Sequence, residues 1–237
     1  MLPILSSQPV DTYKRIGQNG MARSVIIIDY GAGNVRSVAK AFEYAISESS
    51  LTDTVRVSAL PEEVHNADRL VLPGVGAFGD CRRGLLTVPG LIEALTDTVL
   101  TKGRPFLGIC VGMQLMATVS LENGEYAGLN WIGGPVVPIQ APTPAMKVKV
   151  PHMGWNDLIA LTAHPLLTGL PEQPHVYFVH SYHFIPTNPE HRLAIVYYGE
   201  TITAIVCRDN MVGTQFHPEK SQAVGLTFIS NFLHWSP

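Results

Sequence analysis

The sequence predicts an α/β domain whose central sheet is largely parallel and covered on both faces, with a C-terminal half richer in strands. Three features point to it. From Val25 onward, short apolar runs alternate with segments whose apolar residues recur at helical spacing. The runs are apolar throughout rather than at every second residue, as in strands of parallel sheets sandwiched between helices. From Val136 on, extended runs dominate, and no linker, repeat or low-complexity tract divides the chain.

Each element can be placed in turn. Residues 1–22 carry no sustained period, with Ser6-Ser7-Gln8-Pro9 and Gly17-Gln18-Asn19-Gly20 among them. They read as a loosely held extension, with Met21 as a candidate start of translation and residues 23–237 as the domain. Residues 25–30 form a strand ending in the turn Gly31-Ala32-Gly33. Asn34 then caps a helix that keeps Val35, Val38, Ala39, Phe42 and Ile46 on one face. Residues 54–58 make a short strand, and Pro61 opens a helical turn with Glu62 and Glu63 at its positive end. A strand over 69–72, a helix over 89–102 stopped by Gly103, and a strand over 105–109 complete the alternation. Residues 136–139, 147–150, 176–179, 193–198, 204–208 and 211–216 read as extended. The polar turn Arg208-Asp209-Asn210 makes a hairpin of the last two, and a helix over 223–233 turns Val224, Phe228 and Phe232 inward.

Composition narrows the function classes. Charged residues are only 15% of the 237, where an ordinary soluble domain carries about 25%. A large core, a covered partner surface, or both are expected. With 16 Lys and Arg against 19 Asp and Glu and no charge block, there is no basic face for nucleic acid. Cys81, Cys110 and Cys207 form no CxxC pair, which argues for reduced thiols in a cytoplasmic protein rather than disulfides or zinc. No apolar run reaches the ~18 residues of a membrane span. No metal and no cofactor is expected.

Three segments converge on the carboxyl edge of the sheet, where open α/β sheets bind ligands. The strand over 105–109 runs into Gly108-Ile109-Cys110-Val111-Gly112 and then a helix. A small-residue strand-to-helix turn with a nucleophile at its centre has the logic of a nucleophile elbow. The helix start after Cys110 offers free N–H groups and partial positive charge, which favour a thiolate and an oxyanion. The second segment is Phe216-His217-Pro218-Glu219. Pro218 biases His217 towards extended backbone, where positions i and i+2 point the same way, so Glu219 can orient His217 as a base. The third, Leu72-Pro73-Gly74-Val75-Gly76-Ala77-Phe78, can present backbone N–H groups to developing charge. It lacks the nucleotide-phosphate pattern, and GxGxxG is absent after the first strand.

Gly108-Ile-Cys110-Val-Gly112-Met-Gln114 with His217-Pro-Glu219 resembles the class I (triad) glutamine amidotransferases, whose domain is a three-layer flavodoxin-like fold. Four segments are similar to one branch of that family, the glutaminase subunits of imidazole glycerol phosphate synthase. They are the stretch from Asp29 to Asn34, Leu72 to Phe78, Val150-Pro-His-Met-Gly-Trp-Asn156 and Tyr177-Phe-Val-His-Ser-Tyr182. The resemblance covers residues 24–237.

It implies that Cys110 attacks the side-chain amide of L-glutamine, His217 moves the proton, and Glu219 orients His217. The oxyanion would lie between the N–H of Val111 and the Gly74–Val75 peptide. Gly76, Gln114, Ser181 and Tyr182 would bind substrate, while His180 stays outside the catalytic set. The implied partner is a (β/α)₈ barrel cyclase of histidine biosynthesis that receives ammonia through a heterodimer interface including Asn34, Met153, Trp155, Tyr177 and Lys220. Three departures bear on loops: residues 117–131 lack the acidic run of relatives, residues 141–145 read as an extra loop, and residues 1–22 have no counterpart. Alternatives are a glutaminase serving another synthase, a cysteine peptidase or γ-glutamyl hydrolase, and a catalytically silent regulatory subunit.

Overall fold

In the computed structural model of the protein, residues 22–140 and 148–237 are described. The expectations for residues 1–22 and 141–145 therefore fall outside the described residues, apart from Ala22. In the first half, β1 (Ser24–Ile28) lies between β2 (Thr54–Ser58) and β3 (Arg69–Gly74), and β4 (Phe106–Cys110) extends the sheet beyond β3, all parallel. The later strands are β5 (Val119–Ser120), β6 (Tyr126–Ala127), β7 (Pro135–Pro138), β8 (His152–Asp157) and β9 (Ile159–Ala160). They continue with β10 (His175–His180), β11 (Tyr182–Phe184), β12 (Arg192–Tyr198), β13 (Glu200–Arg208) and β14 (Met211–Thr214).

The main sheet runs β2-β1-β3-β4-β14-β13-β12-β9, parallel as far as β14 and antiparallel beyond it. The expected hairpin joins β13 to β14, with Asp209 at φ 51° in the left-handed region that Asp tolerates. Strands β8 and β10 form a separate two-stranded ribbon, and β11-β7-β5-β6 a small sheet. Together these make up the strand-rich second half.

Helix α1 (Val35–Glu48) packs on α6 (Gln222–His234), with Phe42 edge-on to Phe232 at 6.1 Å. The short α2 (Pro61–His65) and α3 (Phe78–Thr87) both pack on α4 (Leu91–Thr96). Strands β1, β3 and β4 are almost wholly buried between these layers. Each large apolar side chain so buried stabilises the fold by roughly 1.5–3 kcal/mol. Strand β2 is the exception: as the sheet edge it exposes Thr54 and Arg56, so the apolar pattern of its neighbours is unnecessary there.

Several expectations need correction. The helix placed at 89–102 begins at Leu91, after Gly90 at φ 79°, and becomes a π-helical turn over Asp97–Thr101. Helix α3 was not anticipated, because Gly79 and Gly84 dilute its pattern, although Phe78, Cys81 and Leu85 bury one face. No strand covers 148–150; the alternation starts after Pro151, which has no N–H to give a ladder, with His152 in and Met153 out. Strand β14 stops at Thr214, whose hydroxyl donates to the Phe216 carbonyl at 3.0 Å. Asn34 does sit at the start of α1, where its carbonyl accepts from Val38, but its side chain makes no capping bond.

Candidate active site

The parallel register aligns the chemistry. Gly74, the last residue of β3, stands beside Cys110, the last of β4, and Thr214 pairs with Ile109 on the other side. The segments bearing the oxyanion candidate, the nucleophile and the base thus leave adjacent strands at one edge.

Cys110 has φ 56° and ψ −111°, a conformation that L-residues avoid, at the junction of β4 with the single turn α5 (Val111–Gln114). Holding a side chain there costs on the order of 1–3 kcal/mol. The flanking glycines make the turn possible. A Cβ on Gly112 would lie 1.8 Å from the Leu72 carbonyl oxygen, and one on Gly108 would lie 2.6 Å from that of Gly112. Cys110 is 4% exposed and lines a cavity of about 400 Å³.

His217 reaches the same cavity from beyond β14. Its Nδ1 lies 2.8 Å from Glu219 Oε1, and both side chains are buried. The backbone between them is a 3-10 turn, Pro218–Lys220, rather than extended chain, so the tight turn brings the pair together. His217 N–H donates to the Tyr177 carbonyl, and the Ser221 hydroxyl donates to that of His217 at 2.7 Å. Burial alone would lower the imidazole pKa. The hydrogen bonds and charges of Cys110 and Glu219 outweigh burial and raise it to about 10. With the Glu219 carboxylate on Nδ1, Nε2 is the nitrogen left for Cys110 and the cavity that both residues line.

The expected oxyanion segment is braced from below. Tyr30 donates its hydroxyl to the Pro73 carbonyl at 2.8 Å, and the Cys81 thiol donates to the Val75 carbonyl at 3.3 Å. Val75 and Gly76, the latter at φ 88°, line the cavity together with Val111 at the start of α5. Gly74 lies behind them, so close to the elbow that a Cβ would meet Gly112 N at 2.8 Å.

Gln114, Ser181 and Tyr182 line the cavity as expected, and so do Asn34 and Lys220. Met153, Trp155 and Tyr177 do not; they lie on the β8–β10 ribbon, where Met153 and Trp155 are exposed and Trp155 meets Tyr177 edge-on at 5.9 Å. Gln114 donates one amide proton to the Tyr182 carbonyl and another to Gln215 Oε1, both at 3.0 Å. A carbonyl can only accept, so the Gln114 nitrogen must face Tyr182. Gln215 in turn presents its nitrogen to Cys110 Sγ at 3.6 Å.

Two residues of the site escaped the sequence reading. Gln215 stands two positions before His217, at the end of the run 211–216 that reads as extended, and that spacing is the signal that could have found it. Glu122 lines the cavity and accepts from Phe78 N–H at 2.7 Å, tying the small sheet to the start of α3. Two acids in the stretch 117–131, Glu122 and Glu125, carry no pattern. Among the described residues, no cluster of three or more His, Cys, Asp or Glu could hold a metal, and no helix is long and apolar enough to cross a membrane.

The strained Cys110 elbow, the buried His217–Glu219 pair and the expected oxyanion segment meet at one cavity, the arrangement expected of a triad amidotransferase. The sequence matches the family model for class-I glutamine amidotransferases over residues 26–235, and the chain belongs to that family. It is 55% identical over 214 residues to the imidazole glycerol phosphate synthase subunit HisH of Rhodospirillum rubrum, covering 90% of this chain and 99% of that protein. The subunit of the same name from Bradyrhizobium diazoefficiens is 55% identical over 218 residues, covering 90% and 100%. Among solved structures, a putative GMP synthase subunit from Thermoplasma acidophilum is similar in fold, with TM-score 0.60, 19% identity and coverage of 91% and 94%.

Proposed function

We propose that this chain is the glutaminase subunit of an imidazole glycerol phosphate synthase, supplying ammonia for histidine biosynthesis. The observation that carries the chemistry is the raised, Glu219-held imidazole of His217 opening onto the same cavity as the Cys110 elbow. Relatives named HisH, at 55% identity over nine-tenths of the chain, support the particular synthase.

The Cys110 thiolate attacks the side-chain carbonyl carbon of L-glutamine, and the oxyanion forms toward Val111 N–H and the Gly74–Val75 peptide. His217 Nε2 gives its proton to the amide nitrogen, the C–N bond breaks, and ammonia leaves a γ-glutamyl thioester. Water then attacks the thioester, Nε2 takes a proton from it, the C–S bond breaks, and glutamate departs. An amide has a poor leaving group, so a group that gives a proton first and takes one afterwards is what the reaction needs. Glu122, on the cavity wall, is suited to hold the α-ammonium of the substrate. No cofactor is required.

The partner is a (β/α)₈ barrel cyclase, docked as a heterodimer in the cytoplasm over the cavity mouth. Support comes from Asn34 and Lys220 lining the cavity and from Met153 and Trp155 being exposed on the β8–β10 ribbon. The test is synthesis by the complex from glutamine labelled with ¹⁵N in its amide, in the presence of unlabelled ammonium. Product that stays labelled supports direct transfer, whereas product diluted to the label of the bulk pool would contradict it.

A further inference from the structure

Two histidines that the triad does not use form a directed hydrogen-bond chain at the substrate cavity, whose wall includes His180 but not His152. His180 Nδ1 lies 2.9 Å from the Tyr182 carbonyl oxygen, which can only accept, so Nδ1 carries the proton. His180 Nε2 must then be the acceptor, and it lies 3.0 Å from His152 Nδ1. His152 therefore donates from Nδ1 and accepts at Nε2, where the Asn156 amide nitrogen stands at 3.3 Å. Every step has one possible direction if both rings are neutral. Burial keeps them so, lowering His152 to about 4 and His180 to about 3. Stacking fixes the His152 ring, at 4.7 Å from Phe178 and 3.9 Å from Tyr198.

The chain ends where the site begins, because the Tyr182 carbonyl also accepts from Gln114, a residue of the cavity wall. It starts on the β8–β10 ribbon, in which His152 pairs with His180 and Trp155 with Tyr177. Strand alternation puts His152 and Asn156 on the inner face of β8 and Met153 and Trp155 on the outer face.

We propose that His152 and His180 are positioning residues, which set the Tyr182 carbonyl and thereby Gln114 for glutamine binding. This rests on the glutaminase reading above. A filler role would be met by apolar rings, which leave no buried nitrogen to satisfy; the donor order is what an apolar pair could not supply.

The test is glutamine turnover by the complex with the cyclase and its ligand. His152→Phe keeps the stacking ring but removes the donor to His180. One lost hydrogen bond should raise KM for glutamine roughly threefold to tenfold, with kcat little changed, the pattern of lost ground-state binding. His152→Asn, which restores an N–H near the Nδ1 position, should recover most of the loss. Equal KM values in wild type and His152→Phe would overturn the relay while leaving the glutaminase standing. Absence of turnover in the wild-type complex would overturn the glutaminase reading itself. Imidazole ¹⁵N spectra of the wild-type complex need no variant: both rings should be Nδ1–H tautomers, and an Nε2–H tautomer at either would refute the chain.

Discussion

A methyl group on Gly112 would sit 1.8 Å from the carbonyl oxygen of Leu72, so the elbow turn and β3 touch backbone to backbone. That contact keeps Cys110 level with Gly74, and no rotamer change can relieve it. Gly112→Ala should destabilise the protein by about 3 kcal/mol or more, through forced backbone displacement. Thermal or denaturant unfolding checks this, and a midpoint equal to wild type would show that the two segments are free to part.

The triad should fail as a unit. Cys110→Ala should abolish glutamine-dependent synthesis while ammonia-dependent synthesis by the cyclase continues. His217→Asn should lose nearly as much, since members of a catalytic unit are not additive. Assaying both variants with each nitrogen source separates the cases. Loss of ammonia-dependent synthesis as well would mean that Cys110 holds the complex together.

His217 makes stability depend on pH. Cys110 and Glu219 outweigh burial and raise it from 6.5 to about 10. A raised pKa contributes stability that is complete below the unfolded value and is lost as pH climbs through the folded one. Denaturant midpoints should therefore fall between pH 7 and 10, and less steeply in Glu219→Gln, which removes one of the raising partners. The alkaline limb of kcat/KM should move to lower pH in the same variant. Curves that superimpose would remove Glu219 as the partner of His217.

Gly76 has φ 88°, and nothing lies within 4 Å of where its Cβ would be. Gly76→Ala thus meets backbone strain and no clash, at a cost of roughly 1–2 kcal/mol. If the loop must adjust for the oxyanion, kcat should fall while alkylation of Cys110 by iodoacetamide stays at the wild-type rate. An unchanged kcat would take the loop out of the mechanism.

Much of this was legible in the sequence, for identifiable reasons. The apolar runs of β1, β3 and β4 announce a doubly covered sheet, and the small residues around Cys110 announce a sharp turn, because sterics permit little else there. Helix α3 was hidden by Gly79 and Gly84; Gly84 is demanded by tertiary packing, since its Cβ would meet the Tyr30 carbonyl oxygen at 2.7 Å. Local propensity cannot report such a contact. The same holds for Glu122 and Gln215, whose roles come from partners 44 and 105 residues away. His217 and Glu219 were paired correctly by spacing although a 3-10 turn, not a strand, brings them together.

Met153 is 61% exposed and Trp155 47%, so neither supports the core. Replacing both with Ala should leave the unfolding midpoint within a degree or two and weaken binding of the cyclase at least tenfold, because buried aromatic anchors dominate interfaces. Titration of labelled cyclase checks this. Unaltered affinity would place the interface elsewhere.

Hydrolysis of glutamine by Cys110, His217 and Glu219 in the service of a cyclase is read out by glutamate release from the purified chain, alone and then with the barrel cyclase and its ribotide ligand. A low rate alone that rises strongly only in the full mixture is the predicted result. A rate indifferent to the cyclase would contradict the assignment to this synthase, and no hydrolysis in either condition would contradict the chemistry.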